Sequence, residues 1–532
     1  MGSSNFVRAM LRVSHRTFRL LLASLAVFFA VGCDLKEGGP TIKSSNDSFE
    51  ASTEESLSQG TSSAPNFILL IADDMGVETL ASYKEGSTVA TTPNLDRLAA
   101  GGVQFRNFWV QPTCSPTRST LLTGRYGFRT GVLKPAYPRR DLIAIDMPTR
   151  ASPNKELIFS PRGHVPPGTK SKPPKSLDLS AKPEDGLPPS EVTLPKILKS
   201  LPENYATAAV GKWHLADSRN GWLRAPNVAG FDYYSGLLLG VTDSYFDWLH
   251  VEQGQARAEN GYLDEHMIDD GISWVGEQAV GERPWFLWVA FTNPHSPITL
   301  PPRHLLKSEA ALDLSFDGLT PDNTQPYAMA MIEAMDTLIG KLLRGIPESE
   351  RQNTYVIFLG DNGSVKWAQP AAPVDPDRAK MTVYEGGIRT PLIVAGPGIP
   401  KGQTTTALAN SVDLFATILD LVPGQRDQVV ADGVQMDSVS LATELKRPTG
   451  VGPRSWIYAD TESMRTGDIN YAIRNRDYKL VVNGEKKELY KMSSDPWERN
   501  DLMSGELEEA EVSALNSLSG IVADIWRSES QF

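Results

Sequence analysis

Five short, nearly unbroken apolar runs constrain the fold of this chain more than any other feature: 67–72, 205–210 (interrupted only by Thr207), 285–291, 355–359 and 391–395. Runs of this length and continuity read as strands buried on both faces. Between them lie segments with helical spacing, at 93–100 behind Thr92 as cap, 194–201, 326–343 and 412–421. Buried strands alternating with helices predict an α/β fold, with a large, mostly parallel central sheet flanked by helices. From about 456 the pattern changes. Strand-like segments at 471–474, 478–482 and 487–490, followed by a helical stretch at 507–526, predict a small C-terminal α+β subdomain with an antiparallel sheet. The expected division is a main domain over 65–455 and a subdomain over 456–532. Within the main domain, 133–191 is dense in Pro, Lys and Arg and lacks periodicity, so it reads as a long irregular insertion.

In open α/β sheets, ligands sit beyond the carboxyl ends of the strands. The residues that follow the apolar runs are therefore the natural place to look for chemistry. Asp73 and Asp74 follow the first run, Lys212 and His214 the second, His295 the third, and Asp361 and Asn362 the fourth. Each has a plain structural reading: an aspartate pair as a helix cap or turn, Asp-Asn-Gly as a turn tripeptide, a histidine in a proline-flanked loop. Together they make a coherent set. Asp73, Asp74, Asp361 and Asn362 offer only oxygen donors, which suits Ca²⁺ or Mg²⁺ rather than zinc. Lys212 offers positive charge to an oxyanion, and His214 and His295 offer proton transfer near neutral pH. A metal, several cations and two histidines suit cleavage of an ester of a strong oxyacid.

A further motif, Cys114-Ser115-Pro116-Thr117-Arg118, lies outside these runs. Pro116 disfavours the helical region at Ser115, so the chain is expected to arrive extended and to turn helical from about Thr117. That puts Cys114 at the mouth of a helix, where free N–H groups favour an anion, with Arg118 adding fixed positive charge. The residues alone allow a reactive thiol here or a small buried cysteine in a turn.

The N-terminus reads as an export signal over 1–32. Arg8, Arg12, Arg16 and Arg19 precede an apolar run over 20–31, which is short for a membrane span. Ala30-Val31-Gly32-Cys33 resembles the lipobox of bacterial lipoproteins, which implies a lipid anchor on Cys33; the alternative is an ordinary signal peptide cut nearby. A polar stretch over 33–64 reads as a flexible tether. The expected location is the bacterial periplasm or cell surface, with secretion as the alternative. A net charge of −12 argues against nucleic acid as a partner.

With these residues assembled, the chain resembles the type I sulfatases of the alkaline-phosphatase superfamily. The resemblance rests on an ordered set of motifs: Ile71-Ala72-Asp73-Asp74-Met75-Gly76, Thr92-Pro93-Asn94-Leu95-Asp96-Arg97, Cys114-Ser115-Pro116-Thr117-Arg118 with Leu121-Leu122-Thr123-Gly124-Arg125, Gly211-Lys212-Trp213-His214-Leu215, Pro294-His295-Ser296-Pro297 and Asp361-Asn362-Gly363. The block at 380–391 and the tail through Asp501-Leu502 fit the same family, and the stretches at 111–118 and 124–131 are most similar to arylsulfatase-B-like members, which act on sulfated amino sugars. The resemblance implies that Cys114 is oxidised to formylglycine by a maturation enzyme, and that the aldehyde hydrate is the nucleophile and a metal ligand. It implies a Ca²⁺ site (Mg²⁺ as the substitute) at Asp73, Asp74, Asp361 and Asn362. Arg118 and Lys212 would hold the hydrate, and Lys380 and His295 would contact the sulfate and the leaving oxygen. His214 would deprotonate the second hydroxyl to expel sulfate. The implied substrate is a sulfated carbohydrate or small molecule. Two alternatives remain: a formylglycine-dependent phosphonate monoester or phosphodiester hydrolase, and a non-catalytic lipoprotein that binds sulfated glycans.

Overall fold

The computed structural model describes residues 64–136, 186–281, 283–366, 368, 372–424 and 434–528, with the backbone alone of 158–160 and 163–165. The expected signal, the tether up to 63, Cys33 and most of the 133–191 insertion, including Arg139, Arg140 and the side chain of His164, lie outside the described residues.

The strands are β1 (Asn66–Ala72), β2 (Val103–Trp109), β3 (Ile158–Ser160), β4 (Gly163–Val165), β5 (Ala206–Gly211), β6 (Tyr233–Gly236), β7 (Asp247–Glu252), β8 (Gln255–Asn260), β9 (Trp285–Ala290), β10 (Thr354–Gly360), β11 (Leu392–Ala395), β12 (Gln403–Asn410), β13 (Ile457–Glu462), β14 (Ile469–Arg474), β15 (Tyr478–Asn483) and β16 (Lys486–Lys491). Ten of them form one sheet in the order β12-β2-β11-β10-β1-β9-β5-β6-β7-β8. Its centre, from β10 to β6, is parallel throughout. The expected helices flank it at Pro93–Ala100, Leu194–Ser200, Gln325–Gly345 and Asp413–Leu421. Strands β13 to β16 pair antiparallel in chain order, and the helix Glu509–Arg527 packs on them through Leu518 and Val522.

The apolar runs owe their continuity to two cores. Ile68, Leu70, Val210, Leu287 and Phe358 face one core, and Phe67, Leu69, Ala209, Trp288 and Ile357 face the other. With a side-chain period of two, a strand covered on both faces needs apolar residues at every position. Burying each large aliphatic side chain contributes about 1.5–3 kcal/mol.

Three details differ from the sequence reading. The run at 391–395 becomes β11, which pairs antiparallel with both neighbours, so the sheet is mixed outside its centre. The strands β2, β6, β7, β8 and β12 and the helix Leu263–Gln278 went unforeseen, because their polar residues break the continuous apolar signal; β8 is a polar, largely exposed edge strand. Thr92 occupies the cap position of Pro93–Ala100, but its hydroxyl makes no cap hydrogen bond. Asp336 does that work from the helix Gln325–Gly345, accepting from the backbone N–H groups of Asn94 at 3.1 Å and Leu95 at 2.8 Å.

Candidate active site

The strand ends converge because the central strands are in register. Ala72 lies opposite Gly360, while Ile71 and Gly211 both lie opposite Ala290. The next residues on each strand therefore emerge at one level. Backbone hydrogen bonds continue the ladder past the strands: Asp361 N donates to Ala72 O at 2.9 Å, Asp73 N to Asn293 O at 3.1 Å, and Lys212 N to Ala290 O at 2.8 Å. Asp74 and His214 then adopt φ of 63° and 61°. Both residue types tolerate the left-handed region better than most.

Cys114 reaches the same level from another direction. Thr113 is extended, at φ −147° and ψ 163°, and the helix runs over Cys114–Thr123. The helix thus starts three residues earlier than the proline suggests. Pro116 falls in its first turn, where N–H groups have no intrahelical acceptor and a missing one costs little. The Thr117 hydroxyl accepts from Gln111 N at 2.9 Å, which ties down the approach to the helix. All ten helical residues are buried.

Around Cys114 the charges interlock. Asp73 lies 3.5 Å from Sγ and is ion-paired to Lys212. Lys380 is ion-paired to Asp74, and Asn362 Nδ2 donates to Asp74 at 2.7 Å. Arg118 donates to Asp361 Oδ2 through Nε at 3.0 Å and an Nη at 2.8 Å, and to the Lys212 carbonyl at 2.5 Å. The ammonium groups of Lys212 and Lys380 stand 3.7 and 3.6 Å from Sγ. Every site residue expected from the sequence is brought into this cluster or against it.

Burial sets the protonation states, and the neighbours modify them. For Asp73 burial opposes ionisation, but Lys212, His295, Lys380 and Arg118 together hold the carboxyl well below its ordinary value. Asp361 is raised to about 7 by burial and by the charge of Asp73. Burial, then Asp73, push the Cys114 thiol up to about 12 against the two lysines. The sulfur is therefore a protonated thiol at neutral pH, which disfavours the thiolate reading.

The histidines differ in how they are held. His214 Nε2 is 3.0 Å from the Ala136 carbonyl. A carbonyl only accepts, so Nε2 carries the proton and Nδ1 the lone pair. That Nδ1 is buried and has no hydrogen-bond partner among the described residues. His295 is the reverse: Nδ1 donates to Ser296 O at 2.7 Å, leaving Nε2 at 3.9 Å from Asp74. Burial, then Lys212, lower His214 well below its ordinary value and His295 to about 4.

Three supporting residues escaped the sequence reading. Asp264 accepts from the N–H groups of Thr292 and Asn293, both at 3.0 Å. Tyr245 donates to the carbonyls of Thr292 and His295, at 2.7 and 2.8 Å, and Tyr262 to Asn293 Oδ1 at 3.0 Å. They fix the loop that carries His295. The helical spacing of Leu263, Met267, Ile268, Trp274 and Val275 is the signal that could have pointed to Asp264, as an acid in a first helical turn.

The oxygen donors fit a hard divalent cation. Asp73, Asp74, Asp361 and Asn362 are all buried, and Asn362 Oδ1 lacks a hydrogen-bond partner among the described residues. A buried amide oxygen without a donor is an available ligand. Ligand atoms of Asp73, Asp74, Cys114 and His295 lie within 4.8 Å of one another.

Comparison with known proteins gives consistent matches. The family model described as Sulfatase matches residues 65–424, and one described as N-sulphoglucosamine sulphohydrolase, C-terminal, matches 378–518. Arylsulfatase J of Mus musculus is 29% identical over 429 residues, covering 77% of this chain and 59% of that protein. N-acetylgalactosamine-6-sulfatase of Canis lupus familiaris is 29% identical over 416 residues, covering 73% and 68%. This chain thus spans about three fifths to two thirds of the length of those relatives. Among solved structures, Ps i-CgsB in complex with k-i-k-neocarrahexaose superposes with a TM-score of 0.66 at 23% identity, covering 87% of this chain and 92% of that one. A protein solved with its substrate D-glucosamine-2-N,6-O-disulfate gives 0.63 at 20% identity, covering 88% and 98%.

Proposed function

The chain belongs to the sulfatase family, and from that premise we propose that it hydrolyses a sulfate monoester of a sulfated carbohydrate, with formylglycine made from Cys114 by a maturation enzyme and with a bound Ca²⁺. The observation that carries the reading is the gathering, around one buried sulfur, of the carboxylates Asp73, Asp74 and Asp361 and the cations Lys212, Lys380 and Arg118, with the Asn362 amide bonded to Asp74. A thiol held at about 12 is a poor nucleophile and a poor ligand among oxygen donors. Replacing it with an aldehyde hydrate supplies an oxygen nucleophile that suits both roles. Asp73, Asp74, Asp361 and Asn362 would hold the Ca²⁺, which supplies positive charge against the sulfate in a low-dielectric pocket.

The chain's own groups do the rest. Lys212 and Lys380 bring two ammonium groups to the anion, and Arg118, locked by Asp361 and the Lys212 carbonyl, keeps its charge fixed. His214 accepts a proton at Nδ1, the nitrogen that its bond to Ala136 leaves bare. His295 presents Nε2 to the leaving oxygen; an anionic ester in the pocket offsets the neighbouring lysines and favours the protonated ring. The 29%-identical N-acetylgalactosamine-6-sulfatase and the structural neighbour solved with a disulfated glucosamine favour a sulfated amino sugar as substrate. A lipid anchor on Cys33 and a periplasmic or cell-surface location complete the proposal.

The decisive experiment incubates protein co-expressed with a formylglycine-generating enzyme with a panel of sulfated amino sugars, an aryl sulfate and an aryl phosphodiester. Sulfate release is expected, together with an aldehyde in place of the thiol in the tryptic peptide 107–118. Faster turnover of the phosphodiester, or no sulfate release despite a confirmed aldehyde, would overturn the reading.

A further inference from the structure

The far edge of the large sheet carries a second cluster of chemistry-bearing side chains that the proposed reaction does not use. β7 supplies His250, β8 supplies Glu259, and the helix Leu263–Gln278 supplies His266 and Asp270. One ligand atom from each of His250, Glu259 and His266 lies within 4.8 Å of the other two. The two imidazoles meet edge to face with centroids 4.9 Å apart, and Trp248 packs against them at 5.0 and 5.6 Å.

Hydrogen bonding assigns the tautomer of His250. The Ser235 hydroxyl donates its one proton to Asp270, so its oxygen accepts from His250 Nε2 at 2.7 Å. The lone pair is therefore on Nδ1. His250 is 0% exposed, and Nδ1 has no hydrogen-bond partner among the described residues; Glu259 Oε2 is 3.8 Å away. A buried acceptor facing a carboxylate with no donor between them is costly, and a cation supplies what is missing.

We propose that His250 Nδ1, Glu259 and His266 form a binding site for a borderline divalent transition-metal ion of the Zn²⁺ class, with Asp270 acting through Ser235 to orient His250. Two imidazoles and one carboxylate suit such an ion and not Ca²⁺. A carboxylate that fixes a ligating imidazole from its far side is the usual outer arrangement of such sites. Tetrahedral closure needs ligand atoms about 3.3 Å apart; His266 and Glu259 are partly exposed and can turn toward the buried His250. Arg257 occupies the charge position meanwhile, with Nε 3.3 Å from Glu259 Oε2, and its 2.8 Å pair with Glu252 retains it once a metal takes Glu259. A bound ion joins the edge hairpin to the helix whose first turn carries Asp264.

The test is calorimetric titration of the full chain with Zn²⁺ in excess Ca²⁺, with thermal melting followed in parallel. One equivalent of Zn²⁺ is expected to bind and to raise Tm. His266→Gln and Glu259→Gln should each weaken binding at least about tenfold, and Ser235→Ala by about 10–100-fold, with Ca²⁺ binding unchanged. His266→Gln is the primary variant because the side chain is partly exposed and its loss leaves the core intact. No Zn²⁺ binding by the wild type, or undiminished binding in the His266→Gln/Glu259→Gln double variant, would overturn the proposal. Neither readout depends on sulfate release, so the two proposals fail separately.

Discussion

At the scale of single residues, Cys114 is held as a thiol by burial and by Asp73, within reach of two ammonium groups that an anion would satisfy better. On the proposed reading, its contribution to stability is small and its contribution to chemistry large. Cys114→Ala should change the unfolding free energy by about 1 kcal/mol or less while lowering turnover at least about 10³-fold. Sulfate release within tenfold of the wild type, measured on protein matured in parallel, would contradict the assignment. The site residues were legible because each directly follows an apolar run or sits in a compact motif. Asp264, Tyr245 and Tyr262 were not, because they act on backbone groups or an amide of a distant loop, and no local pattern announces such a partner.

At the scale of elements, the start of the helix Pro93–Ala100 shows how a local cap signal can mislead. Asp336 accepts four hydrogen bonds from Asn94 and one from Leu95 if its backbone carbonyl is included, whereas the Thr92 hydroxyl accepts none. Asp336→Ala should therefore cost about 2–3 kcal/mol, and Thr92→Ala less than about 0.5 kcal/mol; denaturant melts giving the opposite order would refute this. In β13, burial raises the Asp460 carboxyl to about 7, with Phe128 N as one hydrogen-bond donor. The unfolded value is near 4. Between those values the folded chain keeps a proton that the unfolded chain has released, so this group's contribution to stability falls as pH rises from about 4 to about 7 and is flat beyond. Relative to Asp460→Asn, the wild type should lose about 2–4 kcal/mol across that window. An identical pH dependence of the two unfolding free energies would rule the linkage out.

At the scale of the whole molecule, one buried ionic network joins the C-terminal sheet to the segment that follows Lys380. Lys479 on β15 reaches Glu385 at 3.2 Å and Glu498 at 2.6 Å, and Arg389 pairs with Glu385 at 3.0 Å. Glu385 begins the short helix that follows Lys380, and Met381 N donates to the carbonyl of Pro112, two residues before Cys114. Removing one member of such a buried set strands the others. Lys479→Met should destabilise by about 3–5 kcal/mol and lower kcat/KM by about tenfold through displacement of Lys380. Unchanged kinetics in a folded variant would show that the sheet and the site are independent. The sequence by itself determined the α/β class, the central strands and the polar residues at their ends, because continuous apolar runs and strand-end residues are local signals. Only the tertiary structure decided the antiparallel placement of β11, the cap from Asp336, the early start of the helix at Cys114 and the tautomers of His214 and His295. The placement of β11, the cap and the His214 tautomer depend on partners far away in the chain; the start of the helix and the His295 tautomer rest on near neighbours, Gln111 and Ser296, whose orientation only the folded backbone settles.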